Sequence, residues 1–380
     1  MILLKYEWRK LARMPALWAF IALCLLFNVF YISSAGYHRR DVNEASRTAS
    51  LLGQRVDGSF LERLSGMERT EYQDSILKSC RELGNVFENY DTAELTGLYR
   101  YWLGDSLAGR WMARKYEMLS PRAEHLARTG AALDLYAGPA TINAHEFLFG
   151  TVMRIILAEA AVLGMLSMLA LLGHEEIHRT TQAVCASRTG RKLFFWKTAA
   201  GITAALTLYL LMISVTLGIY FLLFDYSGIW KSSISSGFNQ LTDMLAARPV
   251  LTWADFSVGG YLAAELGLGA ALTVVLSLLA VFIWLIVRRV YLAALALIVV
   301  CLGALVVPSV LAELGFWTAF AVCTFDPVLV LLNPAGWFTE LGLNAFVPWQ
   351  ETVVTLSWLA ALGGGTAALL KRMNRKDLPV

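Results

Sequence analysis

Long apolar runs with very few charges dominate this sequence. From Val290 to Leu370 there is no Lys or Arg, and Val258–Val287 carries one charged residue, Glu265. Runs of this length need an apolar surround along their whole extent, and each is long enough to cross the ~30 Å hydrocarbon core of a bilayer. Only 16% of the 380 residues are charged. A soluble chain of ordinary composition has about 25%. The pattern predicts an all-α polytopic membrane protein.

Six spans are expected: Ala16–Ile32, Leu148–Leu172, Leu193–Phe224, Val258–Val287, Tyr291–Val307 ended by Pro308, and Thr352–Leu370. Ahead of the first, Leu3–Arg13 alternates apolar and basic positions at helical spacing, as a helix on a membrane surface does. Ser33-Ser34-Ala35-Gly36 offers small residues to a signal peptidase, but the long amphipathic leader favours an uncleaved anchor. Leu311–Pro348 is apolar yet broken by Asp326-Pro327, by Asn333-Pro334-Ala335-Gly336 and by Pro348. It suits a re-entrant pair of short helices, because broken backbone at membrane depth must be buried in protein or face water.

Basic residues orient the chain. Four lie in the leader, five in His174–Lys197, two at Arg288-Arg289 and four in the tail after Leu370. With both termini cytoplasmic, all of these fall inside, which satisfies the positive-inside rule. The cell membrane is the expected location. The polar block His38–Glu146, with 14 Lys/Arg against 16 Asp/Glu, then lies outside. Domains of this size cross largely regardless of charge. Residues 1–37 are thus leader and first span, 38–146 an extracytoplasmic helical domain, and 147–380 the remaining five spans. In the domain, Glu62–Phe87 and Thr92–Met118 read as helices, and Ser120-Pro121 as the cap and first residue of another. A block of about 100 residues can form its own core, and its aromatics read as packing residues.

The five cysteines are scattered, with no C-x-x-C or metal-ligand spacing. No nucleic-acid-binding motif occurs, and net charge +3 reflects basic residues at membrane edges. No P-loop motif occurs either: Ser187-Arg188-Thr189-Gly190-Arg191-Lys192 lacks the first glycine and the Ser/Thr after Lys192.

The most informative stretch is His174–Lys197, HEEIHRTTQAVCASRTGRKLFFWK. His174-Glu175-Glu176-Ile177-His178 matches H-E-x-x-H, in which two histidines a helical turn apart hold zinc and the glutamate activates a bound water. Intramembrane zinc proteases take a third ligand from a later segment, for which Asp326 is the candidate. The topology opposes this, since the His pair falls at the cytoplasmic edge and Asp326 in the outer half.

The longer pattern is Glu176, Thr180-Thr181, Ala186-Ser187-Arg188, Gly190-Arg191-Lys192, then Lys197 opening the next span. It resembles the cytoplasmic coupling loop of a type-2 ATP-binding-cassette (ABC) exporter permease, with Thr180 where the family usually has Gly. Leader, six spans, basic first cytoplasmic loop and a re-entrant segment over 311–348 extend the resemblance across the chain. The resemblance implies a permease subunit exporting a hydrophobic or amphipathic substrate, such as a peptide or antibiotic. ATP and Mg would sit on separate ATPase subunits, a second permease would complete a dimer, and the chain itself would be no enzyme. Glu175, Glu176, Thr181, Arg188, Arg191 and Lys192 in the loop 174–197 would couple to the ATPase. A non-transporting membrane sensor is the remaining alternative.

Two carboxylates sit at membrane depth. Glu159 lies 11 residues past Leu148, about 16 Å along a helix, and Glu265 two turns into the fourth span. Such residues are costly in lipid and face a cavity or a partner. Each either lines a translocation pathway or is a hydrogen-bonded packing residue. Arg154 is near enough to the interface to snorkel. Glycines 267, 269 and 363–365 permit close helix approach.

Overall fold

The computed structural model describes residues 2–180, 184, 193–242, 247–341 and 345–375. It is almost wholly helical, and six helices are long and apolar enough to cross a membrane. The spans run Pro15–Ser34, Gly138–Ile177, Leu193–Leu223, Val258–Val287, Val290–Glu313 and Gln350–Met373. A short helix, Ile2–Ala12, precedes them. We call the end that carries this helix and the 178–193 connection the loop end, and the end that carries residues 36–137 the domain end.

Local chemistry sets most boundaries. Pro15 opens the first span, where its missing N–H costs nothing. Ser257 caps the fourth by accepting from the Gly260 N–H. That span stops at Arg288, in the left-handed region at φ 56°, and the fifth begins two residues later. The second span starts irregularly: a short helix over Thr141–His145 passes through a π-helical stretch, Glu146–Val152, into Met153–Ile177.

The fourth span is the centre of the bundle. Its most apolar stretch is 67% buried, against 17% for the fifth span, so the fifth presents most of its apolar surface outward. Close packing rests on small residues. A Cβ on Gly164 would come within 2.7 Å of the Ser277 hydroxyl, and one on Gly269 would strike Leu157 and Tyr209. Gly365 lies against Phe282, whereas Gly267, Gly363 and Gly364 face open space.

Residues 36–137 form helices Gly36–Leu52, Gly58–Ser65, Glu71–Glu82, Thr92–Leu103 and Leu107–Thr129. Asp57, Thr70, Asp91 and Ser106 cap the last four. The core of this block is shared. Val42, Phe60 and Ile76 join the same apolar cluster as the spans, while Tyr99, Met112 and Leu119 pack with Leu251, Ala321 and Phe346. The connection 225–257 clasps it: Ser232 and Ser236 donate to the Leu135 and Asp134 carbonyls at 2.6 and 2.7 Å. A two-stranded antiparallel ribbon, Gln240–Thr242 with Ala247–Pro249, follows in register Leu241 to Arg248. Between the last two spans come short helices Trp317–Cys323 and Pro327–Leu331, the second capped by Asp326.

Two proline-based expectations are corrected. Ser120-Pro121 does not start a helix, because Pro121 lies inside Leu107–Thr129. The break falls earlier, at Gly104 with φ 60° and the Ser106 cap. Pro308 likewise lies inside the fifth span, which runs on to Glu313. A proline removes one hydrogen bond from a helix; at Pro308 apolar flanks leave the backbone no alternative partner in lipid, and at Pro121 the helix is buried on both sides by Leu119, Ala123 and Leu126.

Candidate functional site

At the loop end, the second span delivers Glu175 and Glu176 side by side, and each bonds to other elements. Glu175 Oε1 accepts from Lys10 Nζ at 2.9 Å, and Oε2 pairs with Lys197 Nζ. Lys10 also reaches Glu7 at 2.7 Å, and Lys197 donates to the Leu171 carbonyl. Glu7, Lys10, Glu175 and Lys197 thus form an alternating row with no net charge. Lys197 is fully buried and Glu7 nearly so. Ions taken out of water this far are tolerated only when each is paired, and removing one partner strands the other. The row joins three segments: the first helix, the end of the second span and the start of the third. Around it, Leu11 packs on Leu171, Ala200 and Ala204, and the Trp8 indole donates to Thr203 at 3.0 Å.

Glu176 turns the other way. Its Oε2 accepts the Val290 N–H at 2.9 Å, which caps the fifth span. A carboxylate at a helix N-terminus satisfies an orphan donor and meets the positive end of the dipole. Four elements therefore meet on two adjacent residues.

Of the loop residues singled out in the sequence, Thr181, Arg188, Arg191 and Lys192 lie outside the described residues. The rings of His174 and His178 stand 4.4 Å apart between centroids. Glu175, the base a zinc protease would need, is bonded to two ammonium groups instead. Among the described residues no group of three or more His, Cys, Asp or Glu could hold a metal ion. Asp326 uses its carboxylate to cap Val328.

The two intramembrane carboxylates have different surroundings. Glu159 accepts from Asn28 of the first span at 2.8 Å, and the same amide reaches Thr216 of the third at 3.1 Å. Glu265 is fully buried, and neither of its oxygens has a hydrogen-bond partner among the described residues. The nearby Tyr136 hydroxyl is also unpartnered. Tyr209 and Tyr261 spend their hydroxyls on backbone carbonyls, of Leu266 at 2.6 Å and of Trp337 at 2.7 Å.

A third polar centre lies at the domain end, and single-residue reading of the sequence missed it. Glu340 accepts from Tyr90 and Tyr116 at 3.0 and 3.1 Å. Arg248 donates to Tyr116 and Tyr99 at 3.2 and 3.0 Å. Lys115 donates to the Glu340 and Ala345 carbonyls at 2.9 and 2.8 Å. Burial lowers the Lys115 ammonium to about 7, with Glu340 opposing the shift and Arg248 adding to it. For Arg248 burial pulls downward, but Glu340 and the two tyrosines outweigh it and hold the guanidinium above its ordinary value.

Compared with known protein families, with curated proteins and with solved structures, the chain matches none of them.

Proposed function

We propose that the chain is the transmembrane permease subunit of an ABC exporter, moving a hydrophobic or amphipathic substrate out of the cell. The observation that carries this reading is the pair Glu175-Glu176. It ties the leader helix, the third span and the fifth span to the end of the second span, at the base of the 178–193 loop. A push on that loop from a separate ATPase would move four elements together rather than bend one. In this reading the loop's basic residues, Arg188, Arg191 and Lys192, meet the ATPase, while Glu175 and Glu176 pass the displacement to the bundle.

Other features support it. Ile2–Ala12 takes the role of an interfacial helix, its Lys5 and Arg9 turned to headgroups. Trp317–Cys323 and Pro327–Leu331, too short to cross, act as the re-entrant pair. Residues 38–146 form an outer domain over the exit path, and both termini are cytoplasmic. With no P-loop in the sequence, ATP and Mg belong to the partner subunits, and a second permease completes the assembly. The zinc-protease reading is disfavoured by the double ion pair on Glu175, which leaves no free base beside His174 and His178.

The test is capture of the chain from its host in mild detergent, with mass spectrometry for partners and a zinc assay on the same sample. The expected result is a near-stoichiometric ATPase that is lost with Arg188→Glu and Arg191→Glu together. Stoichiometric zinc without an ATPase would overturn the proposal.

A further inference from the structure

Between the fifth span, the two short helices and the start of the sixth span lies a cavity of 410 Å³. Its size falls in the range of small-molecule sites, which are mostly apolar with a few placed polar groups. Leu305, Phe320 and Trp337 supply apolar wall; Arg154, Asn333 and Glu351 supply the polar groups. Arg154 comes from the second span, which packs against both the fifth span and Pro327–Leu331, and it lines the cavity with them. It has no hydrogen bond or ion pair with any described residue, although Glu146, two turns earlier, feels its charge. Arg154 is exposed, so its guanidinium is open to a ligand that enters this space. Glu351, 5% exposed, places a carboxylate on the same wall system, where it accepts from the Thr352 hydroxyl at 3.2 Å and from nearby backbone N–H groups.

One guanidinium and one carboxylate, in a wall that otherwise holds neutral polar side chains (Ser309, Thr324, Asn333, Gln350) and apolar ones, match a ligand that carries both signs. The outward face of the fifth span continues from the cavity wall with Leu302, Val306 and Val310 exposed, a surface suited to acyl chains. We propose that this cavity seats the head of a zwitterionic phospholipid bearing a primary ammonium. The phosphate lies against Arg154 and Asn333, the ammonium lies against Glu351, and the chains run down the fifth span. A guanidinium offers a phosphate two parallel donors, and a primary ammonium can donate to a carboxylate where a trimethylated one cannot. The inference is independent of the exporter reading, since it concerns what the purified chain holds.

The experiment uses the full chain, purified and stripped of lipid in detergent. Phosphatidylethanolamine, phosphatidylcholine, phosphatidylglycerol and soluble phosphoethanolamine are each titrated, with thermal unfolding and native mass spectrometry as readouts. Phosphatidylethanolamine should bind at one per chain and raise the melting temperature more than the other two lipids. Arg154→Gln should weaken it by about tenfold or more, as loss of a charged hydrogen bond does. Glu351→Gln should remove the preference over phosphatidylglycerol. Asn333→Ala, away from any charge, should weaken binding less and serves as a second variant if Arg154→Gln fails to fold. Equal binding of phosphatidylglycerol by the unaltered chain would overturn the proposal. So would unchanged binding in both Arg154→Gln and Asn333→Ala. Soluble phosphoethanolamine binding as tightly as the lipid would show a water-borne ligand and overturn the lipid assignment.

Discussion

The two ends of the bundle are held by opposite means. At the loop end, Glu175 makes direct ion pairs with Lys10 and Lys197. At the domain end, Glu340 accepts from the Tyr90 and Tyr116 hydroxyls, Arg248 donates to Tyr116 and Tyr99, and Lys115 donates to the Glu340 and Ala345 carbonyls. A direct pair between buried ions is stiff, and it fails badly when one member is removed. A net of hydroxyls and carbonyls spreads one charge over many partners and tolerates a lost member better. The loop end is therefore the brittle joint and the domain end the compliant one. In the proposed exporter, motion passed from the loop to the spans would need its stiffness where Glu175 is.

The largest expected effect breaks the brittle joint. Lys197→Met strands Glu175 on one side and should cost about 3–5 kcal/mol. Arg248→Met at the domain end leaves Glu340 with its two tyrosine donors and should cost about 1–3 kcal/mol. Thermal unfolding of both variants in one detergent compares the joints. Equal losses would remove the distinction drawn between them.

The second effect is read at the domain end. Lys115 has its ammonium lowered to about 7 in the folded chain, against 10.5 when exposed. Between those values the unfolded chain binds more protons than the folded one, so stability rises with pH from about 7 to about 10.5. Below about 7 both states carry the charge and this contribution is gone. Lys115→Met should remove that rise. Unfolding midpoints at a series of pH values, in the unaltered chain and the variant, read it out, and parallel curves would refute it.

The smallest effect sharpens the role of Glu176. Glu176→Gln keeps an oxygen that can accept the Val290 N–H but loses the charge at the helix N-terminus, worth about 0.3–1 kcal/mol. A small drop in melting temperature is expected. Glu176→Leu, which removes the cap outright, should lose more.

The spans were legible because lipid allows only one solution to an apolar run, and charge spacing marked their ends. The fourth span shows this best: Val258–Val287 is bounded by the Ser257 cap and by Arg288 in both sequence and structure. The prolines were not legible. Ser120-Pro121 has the composition of a helix start, yet the surrounding apolar positions bury the helix on both sides of it. The polar centres were legible only in part. Glu159 and Glu265 stood out as lone carboxylates, but their partners did not. Lys10 lies 165 residues from Glu175, and Lys115 lies 225 from Glu340, separations at which no local spacing carries a signal.

The most direct measurement on the joint is hydrogen exchange over Ile2–Ala12. An isolated 11-residue helix is marginal by itself, so protection of its amides reports its docking on the second and third spans. In the unaltered chain these amides should exchange slowly. Glu175→Gln should release them by at least an order of magnitude in rate while the amides of the fourth span stay protected. Unchanged protection of Ile2–Ala12 in that variant would show that Glu175 does not hold the leader to the bundle, and the account of how the loop moves the spans would fail with it.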